Sequence, residues 1–255
     1  MQITNLYKFP IKGFTPKEVR QIDFDCFGNV QGDRVFGFLL NKIELDATSW
    51  LSKRSFLTLQ GNPLIAKFNS NFDEAKSQLH ISLNSHISAT ADIRKTSDRI
   101  YLSNWLREQL LKIDSSINIP RFTLIGDGHT YRFHDREQSS ISIMSSSSLK
   151  VFEETAGIKI DERRFRMNIT IDGLDPWQEL DLIGSAIRIN NIKFNVIGPV
   201  VRCLATHVNP DTGERDCEVM SILTKKFSQE RPVMGVLAVP VQEGTVSIGD
   251  RIDIV

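Results

Sequence analysis

Short runs of alternating apolar residues recur along this chain and constrain its fold more than any other feature. They cover residues 3–9, 35–40, 78–83, 141–144, 186–189, 194–197 and 246–254, and Gly, Pro, Asn and Asp separate them. Such a pattern is typical of β-strands joined by turns. Because many short strands leave edges that a closed barrel removes, we predict an α+β fold that is mostly β and contains a barrel.

Only two segments predict helices clearly. Apolar residues follow helical spacing over residues 98–113, with Ser97 as a plausible N-terminal cap. A shorter helix is expected over residues 149–156, because Gly157 follows it as a natural stop. These helices are few enough that strands dominate the predicted architecture.

The length and charge of the chain limit the classes of protein to which it can belong. The chain has 255 residues, 40% of them hydrophobic, which is enough for one large or two small domains. Lys+Arg and Asp+Glu are each 31, so no basic surface suggests nucleic acid as a partner. No apolar run reaches the roughly 20 residues of a membrane span, and the start does not resemble a signal peptide. We therefore expect a soluble, cytoplasmic protein that does not bind a membrane.

The composition changes near residues 126–128 (GDG) and again over the polar residues 135–140. We place a domain boundary there, with a smaller domain at residues 1–125 and a C-terminal barrel at residues 126–255. The three cysteines, Cys26, Cys203 and Cys217, are widely spaced. Their number and spacing argue against a disulfide framework, a paired-cysteine zinc site or a self-contained iron–sulfur cluster. Any redox chemistry would therefore need electrons from outside.

Two segments carry candidate anion-binding residues. The serines at 145–148 follow a predicted strand and precede a predicted helix, where free backbone N–H groups and hydroxyls can bind a phosphate. The alternative is that one serine caps the helix and the others face solvent. In the second segment, strand-like alternation from Arg164 puts Arg166 and Asn168 on one side, where a guanidinium suits a phosphate and an amide suits a heterocycle edge. The alternative is an ordinary solvated charged face.

Cys203 occupies the most informative stretch, GPVVRCLATHVNPDTG at residues 198–213. A Gly-Pro pair precedes it and a tight Asn-Pro-Asp-Thr-Gly turn follows it, so two bends hold it in a defined place. The adjacent Arg202 would favour a thiolate, the form that binds metals. By local chemistry alone, a free cysteine is more often a small buried apolar residue. Cys26 and Cys217 have no comparable setting, and we expect both to be structural.

Residues 202–213 (RCLATHVNPDTG) resemble the signature of the MOSC domain, which molybdenum cofactor sulfurases and amidoxime-reducing proteins share. The segment 3–13 (ITNLYKFPIKG) and the later GDR at 32–34 resemble the MOSC N-terminal β-barrel domain, and the segment 175–184 (DPWQELDLIG) is similar to one ahead of the family's cysteine. This resemblance implies a C-terminal MOSC β-barrel, an N-terminal β-barrel-like domain and a few helices.

The resemblance also implies a molybdenum–molybdopterin cofactor. Cys203 matches the family's metal ligand and would be the catalytic residue. The positions that match its cofactor-binding motifs are Lys12, Arg34, Ser145, Ser148, Arg166, Asn168 and Arg202. We expect these residues to meet in a cleft between the two parts of the chain. The implied activity is reduction of small N-hydroxylated compounds with electrons from a separate ferredoxin- or flavoprotein-like partner. His207 and Asp211 are candidate proton donors by residue type, although both residue types are common in turns.

Three positions depart from the family pattern. Gly13 stands where relatives often have serine, Met167 replaces a proline and His207 replaces a threonine. None of them removes the thiol or the cations, so they bear on substrate range. An alternative function is cofactor carriage or sulfur transfer through Cys203. Pyridoxal phosphate binding also belongs to that family description, but we identify no pyridoxal-phosphate domain in this sequence. A third alternative is a binding module that has kept the fold without the metal.

Overall fold

The computed structural model describes residues 1–40 and 50–255. Three α-helices lie in these ranges, namely α1 (Thr96–Ile113), α2 (Ser146–Ala156) and α3 (Val219–Lys226). The strands found there are β1 (Gln2–Lys8), β2 (Lys17–Glu18), β3 (Gln21–Phe24), β4 (Gly37–Leu40), β5 (Asn69–Asp73), β6 (Gln78–Ser82), β7 (Ser88–Asp92), β8 (Phe122–Ile125), β9 (Ile141–Ser145), β10 (Ile169–Asp172), β11 (Ala186–Ile189), β12 (Ile192–Val201), β13 (Val233–Pro240), β14 (Gly244–Ser247) and β15 (Ile252–Ile254). The expectation of a mostly β, α+β fold is confirmed.

The largest sheet has the strand order β15-β11-β12-β13-β9-β10-β1-β2. All its neighbours are antiparallel except β9 and β10. The sheet rolls up until β1 meets the segment before β15, where Ile3 N–H donates to the Asp250 carbonyl at 3.0 Å and Gly249 N–H donates to the Ile3 carbonyl at 2.9 Å. We call this rolled sheet the barrel. Its interior is filled by aliphatic and aromatic side chains such as Leu6, Ile143, Ile171, Phe194 and Val236.

The remaining strands form small sheets. Strands β5, β6 and β7 pair in sequence order, β4 pairs with β8, and β3 pairs with β14. Helix α1 packs against β7 and β8 and buries Leu102, Leu106 and Leu110, which recur every four residues on one face. These side chains join a second core, which also contains Ile11, Phe14, Phe36 and Phe68.

The division at residue 126 stays a prediction, and the structure adds a connection across it. Strand β1 pairs with β10 and therefore lies within the barrel, although it begins the chain. Strand β3 pairs with β14, and Ile22 and Phe24 join the barrel core. The N-terminal residues thus give the barrel the strand β1 and pack β3 against its core before the chain forms the N-terminal sheets.

Several predicted elements have different bounds. Residues 246–254 form two strands, β14 and β15, that belong to different sheets, because Gly249 at φ +92° turns the chain between them. Helix α1 begins at Thr96, so Ser97 lies within its first turn and does not cap it. Helix α2 ends at Gly157, as predicted, with the glycine at φ +69°. Helix α3 was not expected from the sequence.

The length and apolar character of a helix decide whether it can span a membrane. Within residues 1–40 and 50–255, no helix combines the length and the apolar character required to cross a bilayer.

Candidate functional site

A cavity of about 330 Å³ lies where the N-terminal residues meet the barrel. Pockets of this size are typical of small-ligand sites. Its walls come from the loops after β1 and before β4, from the loop before β9, and from the segments that lead into β10 and out of β12. Five cations line it in addition to Arg202, namely Lys12, Arg34, Lys53, Arg136 and Arg166.

Six of the eight predicted site residues line this one cavity. They are Lys12, Arg34, Arg166, Asn168, Arg202 and Cys203. They lie up to 191 positions apart in the sequence, between Lys12 and Cys203, so the fold and not the chain brings them together. The expected cleft between the two parts of the chain is therefore present.

Arg34 and Arg166 both have left-handed backbones, with φ of 52° and 55°. Non-glycine residues rarely adopt this conformation, and it clusters at functional sites. Both guanidinium groups lie over the ring of Phe9, at 4.8 and 4.4 Å from its centroid. Arg34 also bonds the buried carboxylate of Asp33, and Arg166 donates to the carbonyl of Phe14. The arginines are thus anchored at the cavity wall on an apolar base.

The prediction of strand-like alternation over residues 164–168 is wrong, although Arg166 and Asn168 do line the same cavity. Residues Glu162–Phe165 form a 3₁₀ turn, and the left-handed Arg166 ends it before β10 begins. No strand exists there to place Arg166 and Asn168 on one face. The turn and the reversal at Arg166 bring both residues to the cavity instead.

Lys12 is buried and points its ammonium group at two oxygens. Its Nζ lies 2.7 Å from the carbonyl of Phe133 and 2.5 Å from Oδ1 of Asp135. Burial lowers the pKa of Lys12, and Asp135 opposes that effect. Lys12 and Arg34 hold the pKa of Asp135 at about 2, although partial desolvation of the carboxylate in the cavity acts to raise it. Asp135 is the one carboxylate among the described residues that line the cavity, so positive charge dominates there.

Asn168 has its whole amide engaged by protein atoms. Its Nδ2 donates to the Tyr7 carbonyl at 3.1 Å and approaches Oδ1 of Asp33 at 3.4 Å. Its Oδ1 accepts from the hydroxyl of Ser142 at 3.0 Å. Asn168 therefore ties β1, β9 and the Asp33 turn together at the base of the cavity. In this arrangement it supports the wall and keeps little capacity to read a heterocycle edge.

Arg202 and Cys203 follow β12 directly. Arg202 is buried, donates to the Phe165 carbonyl and leaves its Nε without a partner among the described residues. Burial lowers the pKa of Arg202 to about 10, and burial with the charge of Arg34 lowers that of Arg166 to about 9. The interaction with Cys203 acts to raise the pKa of both arginines. Both arginines stay cationic at neutral pH. An anion in the cavity would offset the cost of burying their two positive charges.

Ser145 and Ser148 do not reach the cavity. The cavity touches Ser142 at the start of β9, whereas Ser145 ends that strand about 10 Å further along. The helix N-terminus that was expected to bind phosphate already holds a protein carboxylate. Glu179 is fully buried, and burial raises its pKa, an effect that the Ser148 hydroxyl at 2.7 Å and the backbone N–H of Ser145 oppose. Ser145 occupies the capping position without a side-chain bond to the helix backbone. Both serines are therefore removed from the candidate site.

The chain around Cys203 differs in one respect from its prediction. The Gly-Pro pair does not break the segment, because β12 runs through Gly198 and Pro199 with irregular pairing to β13. The turn that follows is as expected, since Gly213 N–H donates to the Asn209 carbonyl at 3.0 Å. Between them a 3₁₀ turn, Leu204–His207, begins at Cys203, whose side chain is partly exposed.

The two candidate proton donors have other partners. His207 is buried, and its Nε2 accepts from the Met220 N–H at 3.2 Å at the start of α3. Asp211 is exposed and pairs with Arg163 at 2.9 Å. Neither lines the cavity. Among the other thiols, Cys26 is exposed and Cys217 is buried in a core under α2 and α3.

Among the described residues, sequence reasoning missed four ionisable side chains of the cavity, namely Lys53, His134, Asp135 and Arg136. In the sequence, residues 135 and 136 belong to the polar stretch that indicates a domain boundary. The signal that could have found them is the change from buried Phe133 and His134 to charged residues just before β9. Lys53 lies in an isolated turn, and nothing in its local sequence marks it.

With this geometry established, the chain can be compared with known proteins. Residues 130–253 match the MOSC domain. This part of the chain, just under half of its length, is similar to the MOSC domain. It contains Arg166, Asn168, Arg202 and Cys203, whereas Lys12 and Arg34 reach its cavity from outside the matched region.

The MOSC domain has curated relatives in insects. The molybdenum cofactor sulfurase of Drosophila mojavensis is 39% identical over 77 residues, which are 30% of this chain and 9% of that protein. The sulfurase of Drosophila grimshawi is 28% identical over 131 residues, 49% of this chain and 16% of that protein. The aligned region thus covers less than a fifth of either relative. The YUAD protein from Bacillus subtilis, a solved structure, has 16% identity and a TM-score of 0.45, covering 99% of this chain and 94% of that one.

The donor set of the MOSC domain cavity fits a molybdenum–molybdopterin cofactor. A partly exposed thiol is a soft ligand of the kind such metals take, and guanidinium groups suit a phosphate. Among the described residues no three His, Cys, Asp or Glu side chains cluster as a metal site. Cys203 would therefore be a single protein ligand to a metal whose other ligands come with the cofactor. The unpartnered Nε of Arg202 is a free donor at the same wall.

Proposed function

We propose that this chain binds the molybdenum–molybdopterin cofactor in the cavity and reduces N-hydroxylated compounds with electrons from a separate protein. The observation that supports it is the convergence of Cys203 with Lys12, Arg34, Arg166 and Arg202 on one cavity of about 330 Å³. The matched MOSC domain and the sulfurase relatives support a role connected with the molybdenum cofactor. The substrate class is part of the proposal.

Each cavity residue has a role in this proposal. Cys203 is the thiolate ligand of the metal, and Arg34 and Arg166 bind the phosphate from the Phe9 side of the cavity. Arg202 lines the cavity and adds its positive charge to that of Arg34 and Arg166. Lys12 is held by Asp135, so it contributes positive charge from a fixed place. When bound, the cofactor would supply two-electron oxygen-atom chemistry, while the protein positions it and tunes its electronics.

A second candidate is cofactor carriage or sulfur transfer through Cys203. The feature that favours it is the partial exposure of the thiol at the beginning of a turn, where another molecule can approach it. The names of the sulfurase relatives point in the same direction. The two candidates share the cavity and differ in whether the metal turns over a substrate.

The test is to make the protein in a host that synthesises the cofactor and to measure molybdenum and pterin per chain after gel filtration. About one of each is expected. The same preparation is then given an amidoxime or a hydroxylamine with an artificial electron donor. Reduction supports the oxidoreductase, and a loaded but inactive protein favours the carrier. Protein without molybdenum and pterin would contradict both.

Cysteine variants supply the matched controls. Cys203→Ser should abolish turnover, because a hydroxyl is a harder and far less acidic ligand than a thiol. Cys26→Ser changes an exposed thiol and should retain full activity. Cys217→Ser should retain activity with a lower melting temperature, because its thiol is buried. Full turnover by a molybdenum-loaded Cys203→Ser variant would refute the ligand assignment.

A further inference from the structure

Arg164 connects the two segments that carry Arg166 and Cys203. It is buried, with 3% of its surface exposed. Its Nη1 donates to the carbonyls of His207 at 2.8 Å and Thr206 at 3.2 Å, and its Nη2 lies 2.6 Å from Oδ1 of Asp216. It belongs to the 3₁₀ turn that ends at Arg166, whereas the two carbonyls belong to the turn that begins at Cys203.

A second bond runs in the reverse direction. Arg202 lies directly before Cys203 and donates to the carbonyl of Phe165, directly before Arg166. Each segment thus uses an arginine to bind the backbone of the other, on opposite sides of Cys203. Within the second segment, the Cys203 carbonyl accepts from the backbone N–H and the hydroxyl of Thr206, at 2.9 and 2.8 Å. Arg164 therefore binds the carbonyl of Thr206, a residue that is itself hydrogen-bonded to Cys203.

The neighbouring Arg163 shows what an ordinary ion pair looks like in the same turn. Its guanidinium bonds Asp161 and the exposed Asp211. Such partly exposed side-chain pairs contribute little to positioning, because solvent competes with them. Arg164 differs because it is buried and its fork binds successive backbone carbonyls, which fixes the course of the chain.

We propose that Arg164 is a positioning residue that sets where the Cys203 thiol lies relative to Arg166. With the proposed cofactor bound, this fixes the distance between the thiolate ligand and the phosphate-binding guanidinium. Arg164 does not line the main cavity, so it would act through the Cys203 turn and not by touching the cofactor. The inference rests on the proposed function only for its readout in the loaded protein.

The test uses full-length Arg164→Met and Arg164→Lys, with Arg163→Met as the matched control. The spectroscopic signature is the thiolate-to-molybdenum absorption per bound molybdenum. Arg164→Met should lose this absorption several-fold while keeping most of its pterin, because the phosphate-binding residues are untouched. Arg164→Lys should recover part of it, since one charged donor remains, and Arg163→Met should match wild type. Unchanged absorption in a folded Arg164→Met variant would overturn the proposal.

A second readout separates this inference from the proposed function. If wild-type protein carries no molybdenum, the proposed function fails, and alkylation of Cys203 by iodoacetamide still tests Arg164. The exposed Cys26 in the same chain serves as the internal reference. Arg164→Met should raise the ratio of Cys203 to Cys26 alkylation at least several-fold, with Arg164→Lys in between. If Arg164→Met does not fold, the same comparison is made with Arg164→Lys. A ratio equal to that of Arg163→Met would refute the positioning role.

Discussion

At the scale of single residues, Gly13 shows how the cavity wall limits what side chains can occupy it. It lines the cavity and has φ of +87°. A Cβ added there would lie 2.9 Å from the Leu57 carbonyl oxygen and 3.0 Å from the Thr58 Cα. The serine that the family resemblance predicts at this position therefore does not fit this backbone, so local geometry favours glycine there.

We predict that Gly13→Ala lowers the free energy of unfolding by about 1–3 kcal/mol, from the left-handed backbone and the contact with Leu57 together. Gly32→Ala is the matched control, because Gly32 has φ of +75° and open space around the added Cβ. It should cost about 1 kcal/mol from the backbone alone. Urea denaturation measures both. Equal losses in the two variants would mean that the Leu57 contact carries no cost.

Arg166 combines two roles that a substitution would separate. Arg166→Ala should weaken cofactor retention about ten- to hundred-fold, since a bond to a charged group contributes roughly 1.5–3 kcal/mol. It should also lower the melting temperature without cofactor, because the Phe14 carbonyl and the Phe9 ring lose a partner. Arg166→Lys should retain an intermediate amount of pterin, because lysine lacks the fork. Pterin content after gel filtration checks the first effect, and full retention by Arg166→Ala would contradict the phosphate role.

At the scale of elements, β9 approaches β13 so closely that position 235 requires glycine. It has φ of +78°, and a Cβ there would lie 2.5 Å from the Ile143 carbonyl oxygen and from Cε of Met167. We predict that Gly235→Ala destabilises the barrel by about 2–4 kcal/mol. Gly198→Ala in the neighbouring β12 meets no atom within 4 Å and should cost less than about 1 kcal/mol. Thermal melts compare the two, and similar melting temperatures would contradict the account.

The sequence was most informative where a local signal determines an element. Gly157 ends α2 where its left-handed conformation was expected, and residues 186–189 form β11 with the predicted bounds. It was least informative where tertiary contacts decide. Strand-like alternation was expected from Arg164 to Asn168, but Glu162–Phe165 form a 3₁₀ turn, because Arg164 and Arg166 reach separate partners in different parts of the fold.

The same distinction holds for the site. Arg202 and Cys203 were recognisable from a contiguous motif, whereas Lys53 and His134 reach the cavity only through the fold. Ser145 and Ser148 failed for the opposite reason. Their position at a strand end and helix N-terminus was right, but Glu179, a residue distant in sequence, occupies the place of the anion. A helix end shows where an anion can bind and not which anion binds.

At the scale of the whole molecule, the buried His134 makes stability depend on pH. Burial, aided by the charge of Arg34, lowers the pKa of His134 from 6.5 to about 4. The unfolded chain therefore binds the proton first as pH falls, so stability is fully present above about pH 6.5 and is lost towards pH 4. We predict a loss of about 2 kcal/mol between about pH 7 and pH 5 in the cofactor-free protein from this residue.

His134→Gln removes the titrating group and keeps a polar side chain of similar reach. The difference in the free energy of unfolding between wild type and variant should shrink by that amount over the same pH range, which isolates His134 from the carboxylates. Chemical denaturation at several pH values gives this difference. A difference that does not change with pH would show that His134 is not protonated on unfolding in this window.

The place of β1 in the barrel has a consequence for how the protein is made. Residues Gln2–Lys8 leave the ribosome well before their partner β10, which begins at Ile169. At about 5–20 residues per second, β1 waits roughly 10–30 s for its neighbour. During that time an unpaired strand edge with Leu6 and Tyr7 is open to other nascent chains. We therefore expect the barrel to assemble slowly and to depend on chaperone supply. A barrel expressed from residue 126 alone would lack the strand β1.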